Sequence, residues 1–312
     1  MKTVSVVMAT YNGGKYLKEQ LDSIINQTYP IYEIIIQDDC STDGTKAILE
    51  DYACKHENIK LFFNKQNLGF NENFKSAVKH ATGDYVAIAD QDDVWFNIKI
   101  ERQVEQIGNC NICSSFLRRG MSLETSIQDC NRAGFEHILF NSLLGHTFLC
   151  KTSFVQDDKN WMPHVWYDWG LAINAFLNGN LTIVEEPLCW HRIHPDEVTW
   201  RKATPQHYTY QPYLFGLKRY RELQKEENWS YVFSYIYKHT SKDFYPVVHK
   251  MTGLLIKDDL FSLFYLCCLC CKHRKKIYPS KNVSGLMGIV RGFFYPMIYA
   301  YNPNIITFKR ID

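Results

Sequence analysis

No run of 18 or more apolar residues occurs anywhere in this chain of 312 residues, so no membrane-spanning helix is expected. The longest apolar candidate, Leu260 to Cys271, is too short to cross a bilayer. The opening residues, MKTVSVVMATYN, lack the apolar core and small-residue cleavage site of a secretory leader. A cytoplasmic, reducing setting is therefore expected. Two nucleotide fingerprints are also missing: no G-x-G-x-x-G follows the first apolar run, and Gly14-Lys15 is followed by Tyr16, without the Ser/Thr and upstream Gly of a P-loop. Dinucleotide dehydrogenases and P-loop NTPases are thereby disfavoured. The eleven cysteines lack metal spacing, since Cys110-x-x-Cys113 stands alone and Cys267, Cys268, Cys270 and Cys271 have no His partners placed as in a finger. They read as reduced, small, buried hydrophobes.

Charge of one sign is lacking too, with 35 Lys and Arg against 33 Asp and Glu. That balance hides a division. Residues 1–200 hold 17 basic against 26 acidic side chains, a net −9, and residues 201–312 hold 18 against 7, a net +11. At 46% hydrophobic and 22% charged the chain is globular rather than disordered or coiled coil. Its length suits about two domains of ~100 to 200 residues.

Apolar runs and amphipathic stretches alternate through the first hundred residues. Val4 to Met8 reads as a buried strand ending in Thr10-Tyr11-Asn12-Gly13-Gly14, and Tyr16 to Ile25 as a helix stopped by Tyr29-Pro30. Glu33 to Ile36 is the next strand, with Ser41 or Thr42 as cap of a helix through Tyr52. Ile59 to Phe63 and Tyr85 to Ala89 are further strands, separated by the Asn67-Leu68-Gly69 turn and a helix over Asn73 to His80. This spacing makes βαβ units, hence a parallel sheet with right-handed crossovers. Ligands of such sheets bind beyond the carboxyl ends of the strands. There the polar residues collect: Thr10-Tyr11-Asn12, Asp38-Asp39 and Asp90-Gln91-Asp92-Asp93. Three carboxylates within four residues repel one another unless a cation intervenes, and hard oxygen ligands select Mg²⁺ or Mn²⁺. A solvated acidic turn or a helix N-cap is the plainer alternative.

The order SVVMATYNGGKYLKEQLDSIINQTY, IIIQDDCSTDGT, NLGFNENFKSAVKHATGDYVAIADQDDVW, spanning Val4 to about Lys99, strongly resembles family 2 glycosyltransferases of the GT-A fold. Its DQDDVW subset looks most like bacterial rhamnosyltransferases and related enzymes of surface-polysaccharide synthesis. The fold so implied is α/β, a mostly parallel central sheet flanked by helices, with a mainly helical C-terminal extension. The resemblance implies that Tyr11 stacks on uracil or thymine and Asp39 accepts its N3–H, with Thr10, Asn12 and Asp38 in the same nucleotide site. It makes Asp90 the sugar contact and Asp92 the ligand of a diphosphate-bridging Mg²⁺ or Mn²⁺; Asp93 either joins them or caps the following helix.

Residues 101–200 read as the acceptor half. Ile112 to Phe116 is a candidate strand, Arg118 to Asn131 a candidate loop, and Asn141 to Cys150 a turn giving way to a strand. Where the resembling enzymes carry His-Asp-Trp-Trp, this chain has Tyr167-Asp168-Trp169-Gly170. The resemblance makes Asp168 the catalytic base, with Trp169 shaping the acceptor pocket. Tyr167, where His is usual, and Gly170, where the second Trp is usual, depart from it, and the aromatic rings of Tyr167 and Trp169 would offer a sugar a flat apolar face. Asp168 also suits the start of a helix over Trp169 to Leu177. A carboxylate among aromatics is partly desolvated, which strengthens it as a base. Leu181 to Trp190 corresponds to the family's edge strand, and His191-Arg192-Ile193-His194 to its Tyr-Arg-x-His motif, which makes Arg192 and His194 candidates for diphosphate contact or for a lid.

Past residue 200 the resemblance fades into a basic, aromatic-rich region. Tyr213 to Gln224 reads as a basic helix, and Ser230 to Lys238 is rich in aromatics. Leu260 to Cys271 is apolar and followed at once by the cationic run Lys272 to Lys276, and Gly285 to Tyr301 is largely apolar with Arg291 inside. Short apolar helices beside cations suit an anionic membrane surface. The expectation is an inverting transferase moving a sugar from dTDP-rhamnose, or otherwise a UDP-hexose, to a polyprenyl-linked surface glycan at the inner face of the membrane, with no nucleic acid partner. A sugar nucleotidyltransferase and a non-catalytic membrane-docked scaffold are the rival readings.

Overall fold

The computed structural model describes residues 1–130, 134–195, 211–278 and 283–301. The chain divides into two compact units: residues 1–131, 143–162 and 170–197 form the first, and residues 132–142, 163–169 and 198–312 the second. The expected boundary at residue 200 lies outside the described residues.

The first unit is built on nine strands. β1 (Val4–Thr10), β2 (Glu33–Asp38), β3 (Ile59–Phe63) and β4 (Tyr85–Ala89) are joined by α1 (Leu17–Ile25), α2 (Thr45–Lys55) and α3 (Phe70–Val78). They pair in parallel in the order β3-β2-β1-β4. Covered on both faces, β1, β2 and β4 are buried almost throughout, apolar at their centres and polar only toward their ends. The rest of the sheet is mixed. Past β5 (Val94–Trp95) and α4 (Lys99–Ile107) come β6 (Ile112–Gly120) and β7 (Ile127–Asp129). After α5 (Phe135–Ile138) follow β8 (Leu149–Lys151), α6 (Thr152–Val155), α7 (Tyr167–Asn178) and β9 (Leu181–Arg192). β8 runs antiparallel to both β4 and β6, and β9 runs parallel to β6 and antiparallel to β5.

Four details differ from the sequence-based expectation. Ser41 and Thr42 cap no helix: α2 begins at Thr45, whose N–H and hydroxyl both donate to Asp43. The expected loop after Phe116 starts as strand, because Arg118 and Arg119 stay paired on both sides, with β7 and with β9. β9 is no edge strand, since β5 lies beyond it, and its register shifts where Pro187, lacking an N–H, opposes Phe116. Asp93 caps nothing, as α4 starts at Lys99.

At the opposite end of the parallel strands, the buried Glu33 carboxylate accepts from Ser5 Oγ (2.6 Å), Thr82 N (2.7 Å), Thr82 Oγ1 (2.9 Å) and Lys60 Nζ (2.6 Å). It thereby ties β1, β2, β3 and the approach to β4 together.

The second unit is helical: α5, the first turn of α7, and then α8 (Gln211–Gln224), α9 (Glu227–His239), α10 (Pro246–Leu255), α11 (Leu260–Lys272), α12 (Arg274–Ile277), α13 (Gly285–Phe293) and α14 (Tyr295–Tyr301). Asp259 caps α11 by accepting from Ser262 N at 2.7 Å, and Pro246 opens α10. Its core gathers Tyr220, Trp229, Val232, Phe233, Met251, Leu266 and Cys270. All eleven cysteines are free thiols.

Candidate active site

Three strand ends of the first unit, those of β1, β2 and β4, carry the polar residues singled out above. After β1 the chain turns sharply, with Asn12 left-handed at φ 47°. Side chains from the loop after β2 fix this turn: Asn12 N donates to Ser41 Oγ, Gly13 N to Thr45 Oγ1 and Gly14 N to Asp43 Oδ2. Three successive backbone donors are thus already spent. Thr42 N donates in return to Asn12 Oδ1 at 2.8 Å. Tyr11 remains half exposed, its ring free of the core, while its backbone is gripped by Gln91: Tyr11 N donates to Gln91 Oε1 (2.9 Å) and Gln91 Nε2 donates to Tyr11 O (3.0 Å). Gly13 permits this, since a Cβ there would come within 2.1 Å of Gln91 Oε1.

Asp38 and Asp39 are both buried. Asp38 accepts from Thr10 Oγ1 (2.9 Å), Ser41 N (2.9 Å) and Ser41 Oγ (2.5 Å). Asp39 accepts from Asn64 Nδ2 (2.7 Å), Leu68 N (2.8 Å) and Gly69 N (2.9 Å). Gly69 reaches it through a φ of 78° that other residues rarely adopt. A carboxylate has about four acceptor positions, so Asp39 keeps about one for a further donor.

The acidic turn after β4 is held differently from the expectation. Each carboxylate meets an imidazole. His146 Nδ1 lies 3.0 Å from Asp90 Oδ2 and 3.3 Å from Asp93 Oδ2. His191 Nδ1 lies 2.9 Å from Asp93 Oδ1, and His194 Nε2 lies 2.9 Å from Asp92 Oδ2. The His146 and His191 rings stack, 4.9 Å apart. Burial alone would raise the Asp93 carboxyl, but the charges of His146 and His191 and their hydrogen bonding bring it well below its ordinary value. Burial opposes charge on His146 also, yet Asp93 and Asp90 raise it well above the usual imidazole range. For Asp92, burial dominates and, with Asp93 and Asp90 nearby, raises the carboxyl despite His194. Like-charge repulsion in this turn is therefore relieved from within the chain at Asp93, and persists at Asp92. His146 had no signal in the sequence beyond its residue type, and His191 entered only as the first position of the Tyr-Arg-x-His match, with nothing to pair it with Asp93.

Arg192 completes the group. Its Nε donates to Asp92 O (3.1 Å), its Nη2 to Glu19 Oε2 (2.5 Å), and its guanidinium lies over Tyr16 (4.6 Å) and Trp190 (4.3 Å). Below them Lys99 is fully buried, with Nζ 2.7 Å from Gln103 Oε1 and 4.1 Å from the Trp95 ring; burial pushes it down to about 8.

Two places offer metal-ligand chemistry among the described residues. Asp93, His146 and His191 bring ligand atoms within 4.8 Å of one another but are fully enclosed. Asp92 and His194 pair a hard oxygen with an imidazole nitrogen, and the Asp92 side chain keeps 19% of its surface exposed.

Asp168 and Trp169 belong to the second unit. Asp168 lies in the first turn of α7, one residue inside the helix rather than at its cap, and is buried, its Oδ1 accepting from Trp169 N (2.7 Å). Trp169 is a core residue: Nε1 donates to Ile138 O (2.6 Å) and its ring meets Phe233 edge-on. Neither Tyr167 nor Trp169 presents an exposed face for a sugar, because both fill the interior.

A parallel, nucleotide-type sheet half continued by a mixed half, with clustered carboxylates at the strand ends, defines a GT-A architecture. The glycosyl transferase family 2 profile matches residues 5–164, and the chain belongs to that family. It is 33% identical over 148 residues to TuaG of Bacillus subtilis strain 168, named for teichuronic acid biosynthesis, covering 46% of this chain and 59% of that protein. It is 43% identical over 102 residues to the glycosyltransferase EpsE of the same organism, covering 32% and 37%. The chain thus spans less than two thirds of these relatives. Among solved structures, Staphylococcus aureus TarS residues 1–349 with UDP-GlcNAc superposes with a TM-score of 0.58 at 18% identity, covering 96% and 89% of the two chains. The Pyrobaculum calidifontis mannosyltransferase PcManGT with GDP-Man and Mn²⁺ gives 0.57 at 17% identity, covering 98% and 87%.

Proposed function

We propose that this protein is an inverting glycosyltransferase that moves a sugar from a nucleoside diphosphate to a hydroxyl of a growing glycan. The observation that carries the reading is the joining of two strand ends: Gln91, from within the acidic turn, holds the backbone of Tyr11 beside Asp90 and Asp92. The exposed Tyr11 ring stacks on the base, and the position left on Asp39 takes the base N–H. Asp90 contacts the sugar or ribose. Asp92 is the carboxylate that would hold a Mg²⁺ or Mn²⁺ ion, with His194 Nε2 at 2.9 Å orienting it, because a diphosphate must reach the ion and the Asp93 cluster is buried. Such an ion, when bound, offsets the charge of the leaving diphosphate.

Arg192 moves from Glu19 to the diphosphate in this reading. Asp168 accepts the proton of the acceptor hydroxyl as its oxygen attacks the anomeric carbon and the nucleoside diphosphate departs. The donor is dTDP-rhamnose, with UDP-hexoses next. The acceptor is a lipid-linked surface glycan, which places the enzyme at the inner face of the cytoplasmic membrane.

The spent amides of Asn12, Gly13 and Gly14 argue against a nucleotidyltransferase, which needs such groups for a triphosphate. A thermal-stability screen of nucleotide sugars with and without Mn²⁺ tests the reading, since binding raises stability by mass action. A metal-dependent shift by one donor, lost in Asp92→Asn, is expected. Stabilisation by a nucleoside triphosphate with a sugar 1-phosphate, and by no nucleotide sugar, overturns it.

A further inference from the structure

Within the second unit, α11 and α13 carry an apolar face that none of the described residues covers. On α11, Phe261 (80% exposed), Phe264 (59%), Tyr265 and Cys268 follow at helical spacing and lead into Lys272. On α13, Leu286 (76%), Met287 (60%) and Ile289 are exposed. The faces adjoin, because Phe264 meets Phe293 at 5.8 Å and Cys271 Sγ lies 3.5 Å from Ile289 O. Gly292 allows this closeness: a Cβ there would lie 2.9 Å from Arg274 Cβ.

Cations flank the same surface. Arg274 Nε donates to Val283 O (3.0 Å), which sets the run Lys272 to Lys276 against the start of α13, where Leu286 and Met287 protrude. Lys250 hydrogen-bonds to Tyr265 and lies 4.5 Å from its ring centroid. The acidic residues Asp258 and Asp259 lie at the far end of α11.

The geometry points to an anionic lipid bilayer as the occupant of this face. Phe261, Phe264, Leu286 and Met287 enter the acyl boundary, and Lys272 and Lys275 meet the head groups, while Lys276 is paired with Glu136 Oε1 at 3.0 Å. A bilayer uses both features at once, since the apolar side chains and the cations lie at adjoining ends of α11, α12 and α13. No helix among the described residues is long and apolar enough to cross a membrane, so the contact is with the surface. The inference rests on the proposed lipid-linked acceptor and names the part of the chain that meets it.

Vesicle co-sedimentation of the full chain tests it, using phosphatidylcholine with and without phosphatidylglycerol. Binding is expected only with phosphatidylglycerol and should weaken in high salt. Lys272→Gln with Lys275→Gln should reduce partitioning about fivefold per charge, and Phe261→Ser with Phe264→Ser, or Leu286→Ser with Met287→Ser, should abolish it. All these positions are exposed, but Phe264 also packs on Phe293, so melting temperatures should hold in the lysine and Leu286/Met287 variants, which keep the test independent of folding. Failure of the wild type to bind anionic vesicles overturns the inference. So do apolar variants that bind as wild type, or that change the mass in sedimentation equilibrium while vesicle binding persists, which would make the face a contact between copies. Nucleotide-dependent stabilisation is measured in parallel on every variant. Its persistence without vesicle binding separates failure here from failure of the transferase reading.

Discussion

Both amide atoms of Gln91 are engaged by the backbone of Tyr11, one accepting its N–H and one donating to its carbonyl. The residue between two acids of the acidic turn is therefore what orients the exposed ring across from it. Gln91→Ala should weaken binding of UDP or dTDP by ~1–2 kcal/mol, about 5- to 30-fold, as expected for two neutral hydrogen bonds. Gly13→Ala should give a similar loss, because its Cβ displaces the Gln91 amide. The double variant should be little worse than either single one. Titration calorimetry reads all three.

Asp168 and Asp92 separate in their effects. Asp168→Asn should lower transfer by roughly 10²- to 10⁴-fold, the usual contribution of a general base, with nucleotide affinity unchanged. Asp92→Asn should weaken donor binding, and EDTA should bring the wild type to the level of that variant without altering it further. Comparing turnover with donor titrations checks both.

Glu33 makes an acid-sensitive clamp. Burial alone would raise its carboxyl, but hydrogen bonds from Lys60, Ser5 and Thr82 outweigh burial and hold it at about 2. A folded value below the unfolded one contributes stability that is present above pH ~4.5 and lost as pH falls toward 2. Glu33→Ala should therefore cost ~1–3 kcal/mol at neutral pH, with the gap to wild type closing over that window. Urea unfolding across pH measures it.

Lys99 also adds stability as pH rises, but in an alkaline window and because burial favours its neutral form. Buried and held at about 8, it sheds its proton in the folded state before the unfolded chain does, so it adds stability as pH rises from 8 to about 10.5. Lys99→Met keeps the volume and removes the titration. Relative to this variant, the wild type should gain ~2–3 kcal/mol across that interval, read by denaturant melts at pH 7.5 and about 10.

The nucleotide half was legible because its signals are local. β3 and β4 fall at the expected residues, since apolar runs bounded by turn residues need no distant partner to declare themselves. Tertiary partners were not legible. The acidic turn demanded counter-charge, and an ion alone was the natural supply in sequence, because His146 and His191 lie about 55 and 100 residues away and nothing in their neighbourhood names Asp93. Asp39 looked available for the same reason: its donors come from a loop that only the crossover brings back. Arg118 and Arg119 looked like loop because their strand pairs on both sides through backbone alone.

The family match ends at residue 164, whereas His191, Arg192 and His194 come from the close of β9 and just beyond it. During synthesis the acidic turn is made about a hundred residues before these partners emerge from the ribosome. Until then Asp92 lacks its imidazole and Asp93 keeps only His146. A nascent chain therefore carries an open, self-repelling site that becomes competent in one late event, the docking of β9 between β5 and β6. Under the proposed function, products stopped short of that strand would lack Arg192 and His194 and should fail to bind a nucleotide sugar.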